Sequence, residues 1–420
     1  WEWQDQGLAD KFPGQQGVDA EGLRENNHKG IVDGYRHPKP EYWNIKMVYS
    51  PVTVAAHEIT PTGGLFFVSL QNRYAFTNLS ELTCRWQNLA GTRVLASGTA
   101  HVACAPQTST EASFPARPGM DTLRLEFIHP DGRSIYVTRL HVTGTPYPAP
   151  PAARPVTGAV TLADGPSQLT VHAAGTTLTL NKSTGLFQWT PNLVPSGPIL
   201  NLGEARHNGG DHGAKNFLES KTPPLLKNAV VTGKMDGDSA HLAVTADVSL
   251  AESPDTLGQL TYTLDVHPDA QIDVHWTMNW QAADANAWEL GLKLQTPPTF
   301  NRLSWSRDGL WTEYPPDHIG ADDGTVGAQD ISFRSTKRDA RWAALSSGKT
   351  GPTLVALHTD TPLHIRAHAD PATATTFFLS SAVSVPYDFS TGLRPDLLIH
   401  LKKGESVSGG FRLRATGGGK

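Results

Sequence analysis

Beyond residue 50 no stretch of this chain keeps a helical apolar period over ten residues, and nothing else in the sequence limits its fold so strongly. Short apolar runs stand there instead, several of them alternating. Leu123, Leu125 and Phe127 face one way and Arg124 and Glu126 the other, which is the period of a half-buried strand. Thr62-Gly63-Gly64, Ala90-Gly91 and Pro130-Asp131-Gly132 separate the runs with turn residues. The 39 glycines and 31 prolines, beside only 18% charged residues, fit many short strands and turns better than long helices. A chain of 420 residues with this pattern predicts two to four domains, mainly β.

The net charge of −5, without a basic stripe, gives no sign of nucleic acid or a membrane surface as partner. No apolar run approaches the length of a membrane span. A soluble protein is expected, with the compartment left open between cytoplasm, periplasm and the outside. Cys84 and Cys104 are the only cysteines. They make neither a disulfide framework nor a zinc spacing, and read as small core residues in neighbouring strands, with a single bridge as the alternative.

The pattern divides the chain into four parts. Residues 1–50 hold a short aromatic strand, a long polar loop over 9–28, the apolar Gly30-Ile31-Val32 and a helix over 41–49. Pro40 suits the first turn of that helix, Tyr42, Ile45, Val48 and Tyr49 supply its apolar face, and Pro51 stops it. Strand, loop and helix make one βα unit. Residues 51–145 carry about seven short strands, the count of an immunoglobulin-like sandwich, with Trp86 as the expected core tryptophan. Residues 146–155 hold five prolines and read as a stiff linker. Residues 156–418 are again strand-rich and predict one large, mostly antiparallel sandwich.

Trp1-Glu2-Trp3-Gln4-Asp5-Gln6, followed by Lys29-Gly30-Ile31-Val32-Asp33-Gly34-Tyr35, resembles the last strand and last loop of the (β/α)8 barrel in glycoside hydrolase family 2 β-galactosidases of the lactose-operon type. The run Gln71–Leu79 followed by Trp86 resembles the immunoglobulin-like domain after that barrel. The Ser183-Thr184-Gly185-Leu186 hairpin resembles the family's last domain, a supersandwich like that of galactose mutarotases. So does Gly309–Asp317, where Glu313, Tyr314 and Asp317 fit the family's run in type. The resemblance implies the C-terminal part of a retaining β-galactosidase, cut inside its catalytic domain.

That resemblance nominates the site residues. Trp1 corresponds to the family's tryptophan at the barrel mouth, whose indole face matches the C–H face of galactose. Trp3 is read as a packing residue. Asn26, in the long loop, and Tyr387, in the run 383–392 where relatives place a tryptophan that reaches the active site, are further sugar contacts, with Phe389 as the alternative to Tyr387. Lys29 stands where the family has Asn or Asp touching both sugar and sodium. A cation with three donors would replace the ion and donate to a hydroxyl, or else remain a solvated loop residue. The cluster Arg206-His207-Asn208-Gly209-Gly210-Asp211-His212 stays open between a structural loop, a sugar-side loop and a metal site.

A retaining glycosidase needs two carboxyl groups about 5 Å apart. In the family both lie on earlier barrel strands, and nothing in this chain matches either motif, so no catalytic residue is assigned. The chain alone is expected to be inactive, to need the preceding barrel portion as partner, and to hold no cofactor. Sodium or magnesium is left to the complete enzyme, and a homo-oligomer remains open. The alternatives are the small subunit of a two-chain enzyme and a stand-alone carbohydrate-binding or structural β protein.

Overall fold

The computed structural model describes residues 2–4, 30–33, 36–152, 158–191, 193–203, 218, 222–251, 255–309, 313–315, 318–384 and 398–416. The chain forms two compact units, one of residues 1–148 with 309–322, the other of residues 149–308 with 323–420.

In the first unit the strands Glu2–Gln4 and Gly30–Val32 pair in parallel, Glu2 against Gly30 and Gln4 against Val32. The helix Pro40–Val48 follows, with Pro40 in its first turn, Glu41 near its N-terminus and Lys46 near its C-terminus, each complementing the helix dipole. The expected apolar face needs correction. Met47 is the buried residue, while Val48 and Tyr49 are exposed. The helix is short and its last turn runs straight into Ser50 and Pro51, so the buried stripe follows the side that meets the sandwich core. Trp3 is also exposed, touching Tyr42 edge-on at 6.2 Å between ring centroids.

The rest of this unit is a two-sheet sandwich. One sheet runs Glu58–Ile59, Ser134–Val142, Thr122–Ile128, Thr83–Ala90 and Arg93–Ala100. The other runs Val52–Thr53, Leu65–Asn72 and Ser109–Pro115. Leu65–Asn72 alternates exposed and buried without a break, and its buried Phe66, Val68 and Leu70 meet Leu123, Leu125 and Phe127 in one core. Asn72 is fully buried and satisfied: its amide donates to the carbonyls of Thr77 and Cys104 at 2.9 Å each, and its oxygen accepts from the Tyr74 amide. Six residues beyond Asn72, Asn78 and Glu81 close a capping box on the turn Leu79–Glu81. Trp86 is only half-buried. It lies over Gly98, where an added Cβ would come within 2.6 Å of its ring. The core is filled by phenylalanines instead. Cys84 and Cys104 are buried and unbonded.

The segment 309–322 is held within this unit by charge and by stacking. Glu313 accepts from Arg139 at 2.6 Å and from Arg124 at 3.3 Å. The Tyr314 hydroxyl donates to Asn44 at 2.6 Å, and its ring stacks on His318 at 4.6 Å.

The second unit is a larger antiparallel sandwich. Its eight-stranded sheet runs Thr161–Asp164, Gln168–Ala173, Thr176–Asn181, Phe187–Thr190, Val194–Asn201, Glu289–Thr296, Ala374–Val383 and His364–Asp370. Its nine-stranded sheet begins with Leu225–Asp236, Ser239–Ser249, Thr256–Val266, Ile272–Trp280 and Ser406–Thr416. It continues through Thr353–Leu357, Ala340–Ser346, Arg302–Arg307 and Asp323–Gly327. One apolar core joins the two sheets, with Trp189, Trp276, Trp280, Trp305 and Tyr262 among its largest members. Among the described residues, no helix is long and apolar enough to cross a membrane.

Candidate functional site

Trp1, Asn26, Lys29 and Tyr387 all lie outside the described residues, as does the cluster Arg206–His212. What the structure does describe is the backbone beside them. Glu2 and Gly30, the neighbours of Trp1 and Lys29, are register partners in the parallel pair.

The anchors of the two long polar segments of the second unit meet at one place. Gly203, which precedes the segment 204–217, packs on Trp288; an added Cβ there would fall 2.5 Å from that of Trp288, and its φ of +88° already favours glycine. Leu218, at the other end of that segment, donates its amide to the Asn286 carbonyl at 2.9 Å. Ser384, which precedes 385–397, donates its amide to the Trp288 carbonyl at 3.0 Å, and its hydroxyl to the Ala287 carbonyl at 2.6 Å. Ile399 donates back to the Ser384 hydroxyl and pairs with Ala287. Both segments therefore leave from and return to the Ala285–Trp288 end of the eight-stranded sheet.

A buried polar network lies directly next to these anchors. The apolar residues Leu290, Leu292, Leu294, Ile365, Ala367, Phe377 and Leu379 turn into the core. Alternation then puts Glu289, Arg366, Phe378 and Ser380 on the opposite face of the same strands. The Glu289 carboxylate takes a forked pair of bonds from Arg366, Nε to Oε1 at 2.7 Å and Nη2 to Oε2 at 3.2 Å, and a third from the Asn201 amide at 2.7 Å. Asn201 also donates to the Ser380 hydroxyl at 3.2 Å and accepts from the Gly203 amide at 3.2 Å. The guanidinium carbon of Arg366 sits 3.4 Å from the centre of the Phe378 ring. Glu289 is 1% exposed and Arg366 7%. Desolvating both ions is costly, so the pair holds only because fork geometry and the extra donor fill the carboxylate's acceptor sites.

His364, two residues before Arg366, extends the polar group. Burial pushes its imidazole below the ordinary histidine range, with the charge of Asp339 opposing. Its Nδ1 accepts from the Asp339 amide at 3.0 Å, so the neutral ring carries its proton on Nε2. The arrangement offers a buried carboxylate held by an arginine fork and a neutral imidazole. It can fix the anchors of the two segments, with three donors already on the buried carboxylate. Among the described residues, no group of three or more His, Cys, Asp or Glu side chains could hold a metal ion.

Pattern reading misses Glu289, Arg366 and His364 because they lie far apart in sequence. The available signal was a charge at one alternating position of an otherwise apolar strand, as in Trp288-Glu289-Leu290 and Ile365-Arg366-Ala367.

Comparison with known proteins adds one decisive observation in the first unit. Residues 68–136 match the family model described as β-galactosidase, domain 4. The chain carries a β-galactosidase-type domain. That match falls within the two-sheet sandwich and includes the alternating strands on both sides of its core. No curated protein matches the chain. Solved structures similar to it include a galactose mutarotase-like protein from Clostridium acetobutylicum, at 13% identity over 63% of this chain and 100% of that one, with a TM-score of 0.36. A putative aldose 1-epimerase from Escherichia coli K12 matches at 14% identity over 61% and 99%, with a TM-score of 0.34. A galactose mutarotase related enzyme from Lactobacillus acidophilus matches at 10% identity over 61% and 97%, with a TM-score of 0.30.

Proposed function

We propose that the chain is the C-terminal portion of a retaining β-galactosidase that hydrolyses terminal β-galactosides. In this reading the 420 residues supply scaffold and part of the sugar pocket, and the two catalytic glutamates lie on polypeptide ahead of them. The observation that carries the reading is the match of residues 68–136 to domain 4 of β-galactosidase. The order of elements supports it: a parallel strand pair and a helix precede the matched sandwich, as the end of a (β/α)8 barrel would. The sandwich is then the immunoglobulin-like domain and the second unit the mutarotase-like supersandwich. Trp1, Asn26, Lys29 and Tyr387 are the galactose contacts contributed by this part.

An antibody raised against the chain tests this on the native polypeptide. A product larger than 45.3 kDa that hydrolyses nitrophenyl β-galactoside is expected, alongside an inactive isolated chain. A native polypeptide of that size which binds galactose without hydrolysis would favour a stand-alone sugar-binding protein instead. In the complete enzyme the Lys29 ammonium stands in for sodium, so replacing sodium with potassium leaves the rate unchanged; strong sodium activation would remove that role from Lys29.

A further inference from the structure

We infer that the second unit carries a separate binding site for a sugar-sized ligand bearing an oxyanion, such as a carboxylated, sulfated or phosphorylated monosaccharide. The site is a cleft of about 680 Å³ whose polar lining is Asn301, Arg302, Gln329 and Lys349, between walls that include Pro298 and Pro371. It lies at the opposite end of the sheet from Gly203, Trp288 and Ser384. Pro298 follows the end of Glu289–Thr296 and Pro371 the end of His364–Asp370, whereas Glu289 and His364 begin those strands. A strand of that length spans roughly 20–25 Å at the usual rise per residue.

The cleft is open because side chains are missing around Arg302. In the register of three adjacent strands, Arg302 stands between Gly327 on one side and Ser346 on the other. A Cβ added at Gly327 would meet only one atom within 4 Å, the Asn301 carbonyl at 4.0 Å, and one at Gly348 would meet nothing. The space over the guanidinium is therefore left empty by the neighbouring positions themselves.

Its charge is one-sided. Among the described residues, two cations line the cleft and no carboxylate does. Among the described residues, neither the Arg302 guanidinium nor the Lys349 ammonium has an ion-pair or hydrogen-bond partner. The nearest acids in sequence are engaged in their own turns. Asp330 accepts from the Ser332 amide at 2.7 Å, and Asp370 accepts from the Ala372 amide at 3.0 Å and the Thr373 hydroxyl at 2.6 Å. A planar guanidinium presents a fork that matches carboxylate, sulfate or phosphate, and a lysine beside it adds charge without directional demand. Asn301 accepts from the Gly348 amide at 3.3 Å, which leaves its NH2 to donate, and the Gln329 amide can both donate and accept. Those groups suit ring hydroxyls, and the proline walls suit a C–H face. The volume is that of a small-molecule site rather than of a single inorganic ion. This assignment stands or falls independently of the β-galactosidase reading, since it uses only residues 298–371.

Calorimetric titration of the full 420-residue chain tests it with galactose, galacturonate, galactose 6-sulfate, galactose 6-phosphate and inorganic sulfate. At least one of the three anionic sugars should bind tenfold or more tightly than galactose, and more tightly than inorganic sulfate; the arms show which oxyanion is preferred. Binding should weaken with added salt. Arg302→Gln should lower that affinity at least tenfold, and Lys349→Gln, at an exposed position where folding is not at stake, by a smaller factor in the same direction. Equal binding of galactose and the anionic sugars would overturn the assignment. So would sulfate binding as tightly as the sugars, the absence of any binding, or anion affinity unchanged in both variants.

Discussion

Lys337 has no exposed surface, and its backbone explains why its side chain stays inside. Its amide donates to the Ile365 carbonyl and its carbonyl accepts from the Ile365 amide, both at 2.8 Å, which ties it to the strand His364–Asp370. Its nitrogen then sits 4.5 Å from the centre of the Trp305 ring and donates to the Ser335 carbonyl at 3.0 Å. Burial drives its pKa from 10.5 down to about 7; Asp330 opposes that shift and Arg307 reinforces it. Between those two values the unfolded chain holds a proton that the folded chain has lost. Folding stability attributable to Lys337 therefore rises with pH through this window, and is lost as pH falls towards 7. From the two pKa values, the gain between pH 6.5 and pH 9 is about 2–3 kcal/mol. Lys337→Met keeps the length of the side chain and removes the titration. Urea unfolding followed by tryptophan fluorescence should show the native chain gaining on the variant by that amount across the window. Every other ionisable group is common to both proteins and cancels in the difference. Two parallel stability curves would refute the reasoning.

Three further perturbations probe other parts of the structure. Arg366→Met leaves the Glu289 carboxylate buried without its forked partner and should cost about 3–5 kcal/mol; the double variant with Glu289→Gln should recover most of it in a denaturant-unfolding cycle. Gly98→Ala puts a Cβ 2.6 Å from the Trp86 ring and should destabilise the first unit by about 1–3 kcal/mol, with a shift in Trp86 emission; an unchanged melting profile would contradict the close approach. Cys84 and Cys104 are buried and free, and burial pushes the Cys84 thiol up to about 12. A thiol reagent at pH 8 should therefore label neither until denaturant is added, after which both react; rapid labelling of the folded chain would count against this packing.

Much of the β architecture was legible in the sequence, because burial on one face of a strand writes a period of two into neighbouring residues. Leu65–Asn72 and Thr122–Ile128 announce themselves in this way. Ser109–Pro115 does not. Only Phe114 of its residues is fully buried, and it becomes a strand because Leu65–Asn72 offers it a ladder. The helix Pro40–Val48 was legible from its proline and spacing, yet which stripe it buries depended on where the sandwich lay. Of the site, the sequence pointed to Trp1, Asn26, Lys29 and Tyr387 through motif resemblance, and the described residues contain none of them. Local periodicity thus determined strand-rich sandwiches and their core faces. The pairing of Glu289 with Arg366, the convergence of Gly203 and Ser384 on Trp288 and the uncovered guanidinium of Arg302 were decided only by tertiary structure. Each depends on which distant strands lie side by side, and sheet order leaves no trace in the spacing of residues along a single strand.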